Sequence, residues 1–229
     1  MLLALDTSTP QIGLALYDGA RVLAESLWTS QARHTVELAP AVAEMLQKTG
    51  QPLEAVQALG VALGPGSFTS LRVGLSFVKG LALARNLPLV GINTLEVLAA
   101  SQPLNDLPLA CLLPAGRKRL AVGWYHPAEF GRGHAKDHGW QATGNPVILS
   151  AEALGAAIEQ ASVLCGDLTA AERQILSQNP NIRLVSPALG VRRPALLAEL
   201  AYQRWQAGQI EAVEALAPIY LHLGEALPG

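Results

Sequence analysis

Charge is scarce in this chain. Only 15% of its 229 residues are charged, 16 Lys and Arg against 18 Asp and Glu, for a net charge of −2. That balance excludes a generic basic nucleic-acid coat, because phosphate binding needs clustered cations. It leaves open an RNA pathway in which a partner supplies the basic surface. Cysteine is nearly absent as well. Cys111 and Cys165 form no CxxC and each sits in an apolar run, so both read as buried free thiols, and a reducing cytoplasm fits. Long hydrophobic runs are missing even though half of the residues are apolar. The longest uncharged stretch, 55–71, is interrupted by Gly60, Gly64, Pro65 and Gly66. It reads as a strand and a tight loop, not as the roughly 20-residue span a membrane needs. The first residues, MLLALD, lack a basic segment and meet Asp6 at once, unlike a signal peptide. Polar tracts are too short for a disordered chain.

What is present is an alternation of strands and helices. Residues 1–5, 12–17 and 21–28 read as strands, with Asp18-Gly19 as a hairpin turn. A helix follows over 35–48, with Pro40 inside it predicting a late start or a kink. Residues 58–63 form a buried strand, Gly64-Pro65-Gly66 a sharp turn, and Ser67 opens a long helix to about Arg85. A strand at 89–92 and a helix from Thr94 to Ser101 complete the first half. Composition shifts around 102–108, which predicts an N-terminal subdomain over 1–103 and a C-terminal one over 104–229, the last helix packing back on the first. In the second half, strands at 109–113 and 120–125 flank the turn Gly116-Arg117-Lys118-Arg119. Residues 127–144 read as a loop, 151–160, 170–177 and 194–207 as helices, and 162–165 as a strand. No internal repeat is visible. The mixture predicts two α/β subdomains.

Few constellations could carry chemistry. Gly64-Pro65-Gly66-Ser67-Phe68-Thr69 lies between a buried strand and a helix, where backbone N–H groups could cradle a phosphate. It lacks the Gly-Lys-Ser/Thr of a P-loop and the third Gly of a dinucleotide fingerprint. The alternative is a tight turn in which Ser67 or Thr69 caps the helix. Asp6, ending the first strand, could hold a metal or cap its own turn. His134 and His138 have ligand spacing, yet they lie among Gly131, Gly133 and Gly139, so a solvated loop is expected. Arg117-Lys118-Arg119 and Arg192-Arg193 are the only basic clusters, too few charges for tight RNA binding. No Gly-x-Ser-x-Gly elbow supports a serine hydrolase. The 68–84 helix is apolar nearly all round. Phe68, Leu71, Leu75, Val78 and Ala82 make one face, and Val73, Phe77, Leu81 and Ala84 another. Such a helix is either central in the core or meets another protein.

The segments LALDTSTPQIGLALYDG, ARHTVELAP, VALGPGSFTSLRVGLSFVKGLALARNLPLVGINTLEVLA and APIYLH resemble the bacterial TsaB (YeaZ) family. The resemblance is dense over 1–101 and patchy beyond. It implies the actin/Hsp70/sugar-kinase (RNase H-like) fold, two related α/β subdomains, each a mixed sheet packed with helices. It also implies a cytoplasmic, non-catalytic subunit that dimerises with the transferase TsaD and supports threonylcarbamoyl transfer to adenosine 37 of tRNAs, with the ATPase TsaE as a further partner. A homodimer in isolation, contact with tRNA only through the complex, and no membrane association follow from the same resemblance. It implies no resident cofactor or metal, with ATP or ADP at most at a partner interface. The metal-binding His-x-x-x-His of the catalytic relative falls here on Thr94 and Leu98, neither of which replaces imidazole.

Three departures from the family pattern stand out. Ser70 replaces a Gly and crowds the loop, Pro114-Ala115-Gly116-Arg117 replaces an Asp-Ala-Arg run, and His222 replaces an Arg. The first two weaken the remaining nucleotide candidates, Asp6, Gly64, Gly66, Ser67 and Thr69. Pairing in the family runs through the two helices matching 35–48 and 67–85, which makes Leu38, Val42, Met45, Leu71, Leu75 and Val78 the expected interface residues. Two enzyme readings compete with the accessory role: an ATP-binding phosphotransferase or ATPase built on Asp6 and the Gly64 loop, and a glycoprotease-like peptidase. A stand-alone tRNA-binding module is disfavoured by the charge.

Overall fold

The computed structural model describes residues 1–30, 34–128 and 139–221. His134, His138 and His222 lie outside the described residues. The chain divides into two compact units, 1–94 with 193–219, and 95–192 with 220–229.

In the first unit, β1 (Leu2–Asp6), β2 (Gln11–Tyr17) and β3 (Val22–Thr29) form an antiparallel meander. α1 (His34–Thr49) leads to β4 (Ala58–Ala62), and α2 (Phe68–Arg85) to β5 (Leu89–Ile92). Both later strands join β1 in parallel, giving the order β3-β2-β1-β4-β5. β1 and β4 are buried throughout, as their uninterrupted apolar runs require when both faces of a strand are covered. Leu3, Leu5, Leu14 and Leu16 pack with α1 and α2 in one core. The opposite face carries α6 (Pro194–Gln206), whose Leu197, Ala198 and Ala201 are buried. A β-carbon at Gly60 would stand 2.7 Å from the Ala201 β-carbon, so the glycine in β4 lets α6 lie close on the sheet. Pro40 sits inside α1 without ending it, and α1 begins at His34, so the late start expected from the proline does not occur.

In the second unit, α3 (Thr94–Ala100) precedes β6 (Leu109–Pro114), β7 (Arg119–Pro127), β8 (Trp140–Ala142) and β9 (Val147–Ser150). α4 (Ala151–Ala157), β10 (Ser162–Gly166), α5 (Ala170–Leu176) and β11 (Ile182–Leu184) follow. The sheet order is β11-β10-β6-β7-β8, with β9 also on β7. Reversed, β8-β7-β6-β10-β11 repeats the first sheet: an antiparallel meander followed by two parallel strands. α3 covers one face through Leu95, Leu98 and Ala99, and α4 and α5 cover the other through Leu154 and Leu176. Two mixed sheets, each packed with helices, make an α/β architecture in which one strand order occurs twice.

The division differs from the expected cut near residue 104. Leu95 and Leu98 bury into the second unit's core, so α3 from Leu95 onward belongs there despite the composition change that follows it, while its first residue, Thr94, stays with the first unit. Residues 193–219 belong to the first unit, where Leu216 joins the core and Glu211 bridges Leu89. The sequence reading also omits β8, β9 and β11, all of four residues or fewer. Short strands in mixed sequence carry no legible period. Cys111 and Cys165 are free and buried, side by side on β6 and β10 with Sγ atoms 3.5 Å apart. Burial, and then the neighbouring Cys165 sulfur, push the Cys111 thiol well above its ordinary value, which keeps it unreactive.

Candidate functional site

The turn after β1, Thr7-Ser8-Thr9, is wholly buried despite being polar. Its hydrogen bonds explain why. The Asp6 carboxylate accepts from the Ser8 backbone N–H at 2.7 Å and from the Ser8 hydroxyl. Ser8 Oγ lies 2.9 Å from Thr94 Oγ1, which accepts the Gly64 N–H at 2.9 Å. Each hydroxyl has one proton to give. With Ser8 donating to Asp6, Thr94 donates to Ser8, and the relay Gly64 to Thr94 to Ser8 to Asp6 is complete. The Thr94 N–H returns a bond to the Gly64 carbonyl at 2.8 Å, and the Thr7 hydroxyl donates to the Ser70 carbonyl at 2.8 Å. Ser67 N–H donates to the Ser8 carbonyl at 2.6 Å. Three chain segments are thereby tied into one polar knot.

The knot occupies the place where a phosphate cradle was a candidate. Gly64 has φ 104°, a conformation that favours glycine. A β-carbon on Gly66 would overlap the Ser8 carbonyl, and one on Gly74 the Thr7 hydroxyl. The space the glycines open is thus filled by the β1 turn. Ser67 caps α2, accepting from Ser70 N–H at 3.5 Å, and the Ser70 hydroxyl donates to Ser67 Oγ at 3.0 Å. Asp6, Gly64, Gly66 and Ser67 are brought together as expected, but as a strut. Thr69 is exposed on the first turn of α2. Of the two positions that the resemblance singled out, Thr94 is in the knot and Leu98 is in the apolar core. Among the described residues no group of three His, Cys, Asp or Glu could hold a metal. His34, not weighed in the sequence, is buried with Nε2 3.3 Å from the Thr9 carbonyl and pins the start of α1 to the same turn. Its place just before an amphipathic helix was the available signal.

The six expected interface residues need correction. Leu38, Val42, Met45, Leu71, Leu75 and Val78 are all buried, none more than 6% exposed, and they form the inward stripe against the sheet. They offer little surface to a partner, though Leu38 and Met45 each line the floor of a surface groove. The outward stripe offers more. Val36 is 65% exposed and Phe68 52%. Val73 and Phe77 are half-buried beside a groove of about 420 Å³ that Thr35, Arg72 and Ser76 also line. The Arg72 guanidinium carbon sits 3.7 Å over the Phe68 ring, a cation–π contact at the groove's end. A second depression of about 420 Å³ lies beside Val36, lined also by Trp28, Pro40, Met45 and Lys48. A largely apolar surface with shaped depressions is suited to a protein partner.

Comparison with known proteins is consistent with this geometry. Residues 22–221 match the family described as TsaD, tRNA N6-adenosine threonylcarbamoyltransferase. The tRNA threonylcarbamoyladenosine biosynthesis protein TsaB of Bacillus subtilis (strain 168) is 32% identical over 124 residues, 54% of each chain. TsaB of Escherichia coli (strain K12) is 37% identical over 98 residues, 43% of this chain and 42% of that one. The chain spans about half the length of the curated relatives it matches, or less. The tRNA N6-adenosine threonylcarbamoyltransferase of Nitrosomonas eutropha is 33% identical over 136 residues, 51% of this chain and 40% of its own. Among solved structures, YeaZ from Pseudomonas aeruginosa superposes with a TM-score of 0.77 at 25% identity, covering 96% of this chain and 99% of that one. The chain therefore belongs to the family of the tRNA N6-adenosine threonylcarbamoyltransferase model, and it is similar to proteins named TsaB and YeaZ.

Proposed function

We propose that this chain is the non-catalytic accessory subunit that pairs with a TsaD-type transferase and supports threonylcarbamoyl transfer to adenosine 37 of tRNAs. The observation that carries the reading is the polar knot. Where the catalytic relative needs a metal ligand, Thr94 braces Gly64 against Ser8, and Leu98 fills the core. A side chain committed to holding two turns together, and a leucine, supply no Lewis acid and no general base. The contribution left to such a chain is its surface, and the outward stripe of α1 and α2 is the surface proposed for the transferase and, in its absence, for a second copy. A TsaE-type ATPase joins the assembly and the nucleotide comes with the partners. Work in the cytoplasm accords with this role. No helix among the described residues is long and apolar enough to cross a membrane.

Reconstitution tests the proposal. Threonylcarbamoyladenosine formation is measured with the transferase, the ATPase and the carbamoyl-adenylate supply from one organism, with and without this chain. Activity is expected only when both this chain and the transferase are present. Unchanged activity without this chain, or activity from this chain alone, overturns the reading. Titration with Mg-ATP addresses the competing phosphotransferase reading, which requires binding tighter than micromolar by the isolated chain.

A further inference from the structure

The β6–β7 hairpin ends in three consecutive cations, Arg117, Lys118 and Arg119. The turn is closed by Arg119 N–H donating to the Gly116 carbonyl at 3.0 Å and Ala115 N–H donating to the Arg119 carbonyl at 2.7 Å. Gly116, Arg117 and Lys118 have φ of 73°, 50° and 59°. Successive left-handed residues at a hairpin tip strongly favour Asn and Gly, because a β-carbon there crowds the following carbonyl. Each non-glycine residue costs about 1 kcal/mol or more. This hairpin carries Arg and Lys at those positions, so turn stability does not account for the choice.

Nor do partners within the chain. Arg117 and Lys118 are exposed. None of the three cations forms a hydrogen bond or ion pair through its side chain among the described residues. Arg119 is half-buried, and its Nε is shielded from water with no hydrogen-bond partner there. A shielded, unpaired donor on a charged group is expensive. An anion meeting the open edge of the guanidinium would offset that cost. One acid feels the turn's charge, Glu152 on the first turn of α4. Its carboxyl is held low by hydrogen bonds from its own backbone and Ser150, with Lys118 contributing last.

We infer that this tip is a phosphate-contact site through which the chain touches the backbone of RNA, an inference that rests on the tRNA reading above. Guanidinium and ammonium groups are matched to phosphate oxygens. A protruding tip suits a polyanion surface, whereas a free nucleoside triphosphate needs a concave cradle of N–H groups. The tip residues Gly116 to Arg119 include no large apolar side chain, so it lacks the desolvated centre that a protein interface needs. No aromatic ring stands within the turn to stack a base, so the contact reads backbone, not sequence. Three charges give a weak contact that adds to a partner's, in keeping with the net charge of −2.

The test is the salt dependence of binding to labelled tRNA, for the full chain alone and mixed with the transferase. Two variants are compared. Arg117→Asn with Lys118→Gly removes two cations while supplying residues the turn favours, so folding is safeguarded. Arg117→Ala, Lys118→Ala and Arg119→Ala together remove all three. Each lost phosphate contact flattens the log K against log salt slope by about 0.9. The double variant is therefore expected to flatten the slope by about two and to bind about tenfold more weakly at low salt. An unchanged slope in both variants overturns the inference. So does a variant that keeps its tRNA slope but loses assembly with the transferase, which marks a protein contact, or loses ATP binding, which marks a nucleotide contact. If the unmodified chain does not assemble with the transferase, the accessory reading fails, and the slopes of the chain alone still decide the RNA contact.

Discussion

Thr94 shows how a single hydroxyl can hold distant turns of a fold together. Its hydroxyl accepts from Gly64 and donates to Ser8, and Ser8 in turn donates to Asp6. The bonds are buried, so any member left unpaired costs about 1–3 kcal/mol. Thr94→Val is expected to lower the unfolding free energy by about 2 kcal/mol in urea denaturation, since it strands the Gly64 N–H and removes the donor to the Ser8 oxygen. Gly66→Ala probes the same knot from the steric side. Its β-carbon would collide with the Ser8 carbonyl, and backbone has little room to yield. A loss of about 2–3 kcal/mol is expected, read from the same urea midpoint. If Gly66→Ala is as stable as the parent, the loop is open and the phosphate reading returns. The residue types of this knot were legible in the sequence as a polar turn and a glycine loop. Their joining was not, because 86 positions separate Ser8 from Thr94 and no local pattern reports a bond over that distance.

At the scale of elements, α2 is the instructive case. Its sequence carries two apolar stripes, and periodicity alone does not say which one lies on the sheet. The structure buries Leu71, Leu75, Val78 and Ala82 and leaves Val73 and Phe77 half-covered. The reading that placed Leu71, Leu75 and Val78 at an interface therefore chose the stripe that its own sheet had already taken. Paired substitutions separate the two faces. Val78→Asp, which places a charge in a site with no exposure, is expected to unfold the chain outright. Val36→Asp, on the 65% exposed outward side of α1, is expected to leave stability within about 0.5 kcal/mol. It should nevertheless abolish pairing with a second copy or with the transferase, read by light scattering and co-purification. A Val36→Asp chain that still pairs would move the partner surface away from these helices.

For the whole molecule, the first unit is closed by a late segment returning to an early sheet. Glu25 on β3 receives a two-pronged hydrogen bond from Arg193 and the Ala195 N–H at 3.0 Å, tying the start of α6 to the meander. Burial by itself would raise the Glu25 carboxyl, but the Arg193 hydrogen bond, the Ala195 N–H and the Arg193 charge outweigh it, and the group is held below its ordinary value. A depressed folded-state value means stability that is present above the unfolded carboxyl's value near 4.3 and is lost as pH falls through the lower folded one. Glu25→Gln should cost about 1 kcal/mol at pH 7, modest because Arg193 is more than half exposed. The gap between parent and variant should close as the pH drops below about 4. Urea midpoints at pH 7 and pH 3.5 check this. A gap that persists in acid would show that the pair contributes nothing through its charge.

The sequence by itself determined the class and most of the elements. Uninterrupted apolar runs such as residues 2–5 and 58–62 can only be strands covered on both faces, and the Gly64–Gly74 run and its neighbours mark the family. Local chemistry suffices there: a strand's burial, a cap such as Ser67 and a helix stop are written within a few residues of one another. Tertiary structure decided the rest. It showed one strand order twice in a chain with no visible repeat, because topology survives where side chains diverge. It assigned α3 from Leu95 onward to the second unit and α6 to the first, filled the glycine cradle with the β1 turn, and chose which stripe of α2 faces inward. Each of those outcomes depends on which surfaces remain after packing, a property that residues acquire only from partners far away in the chain.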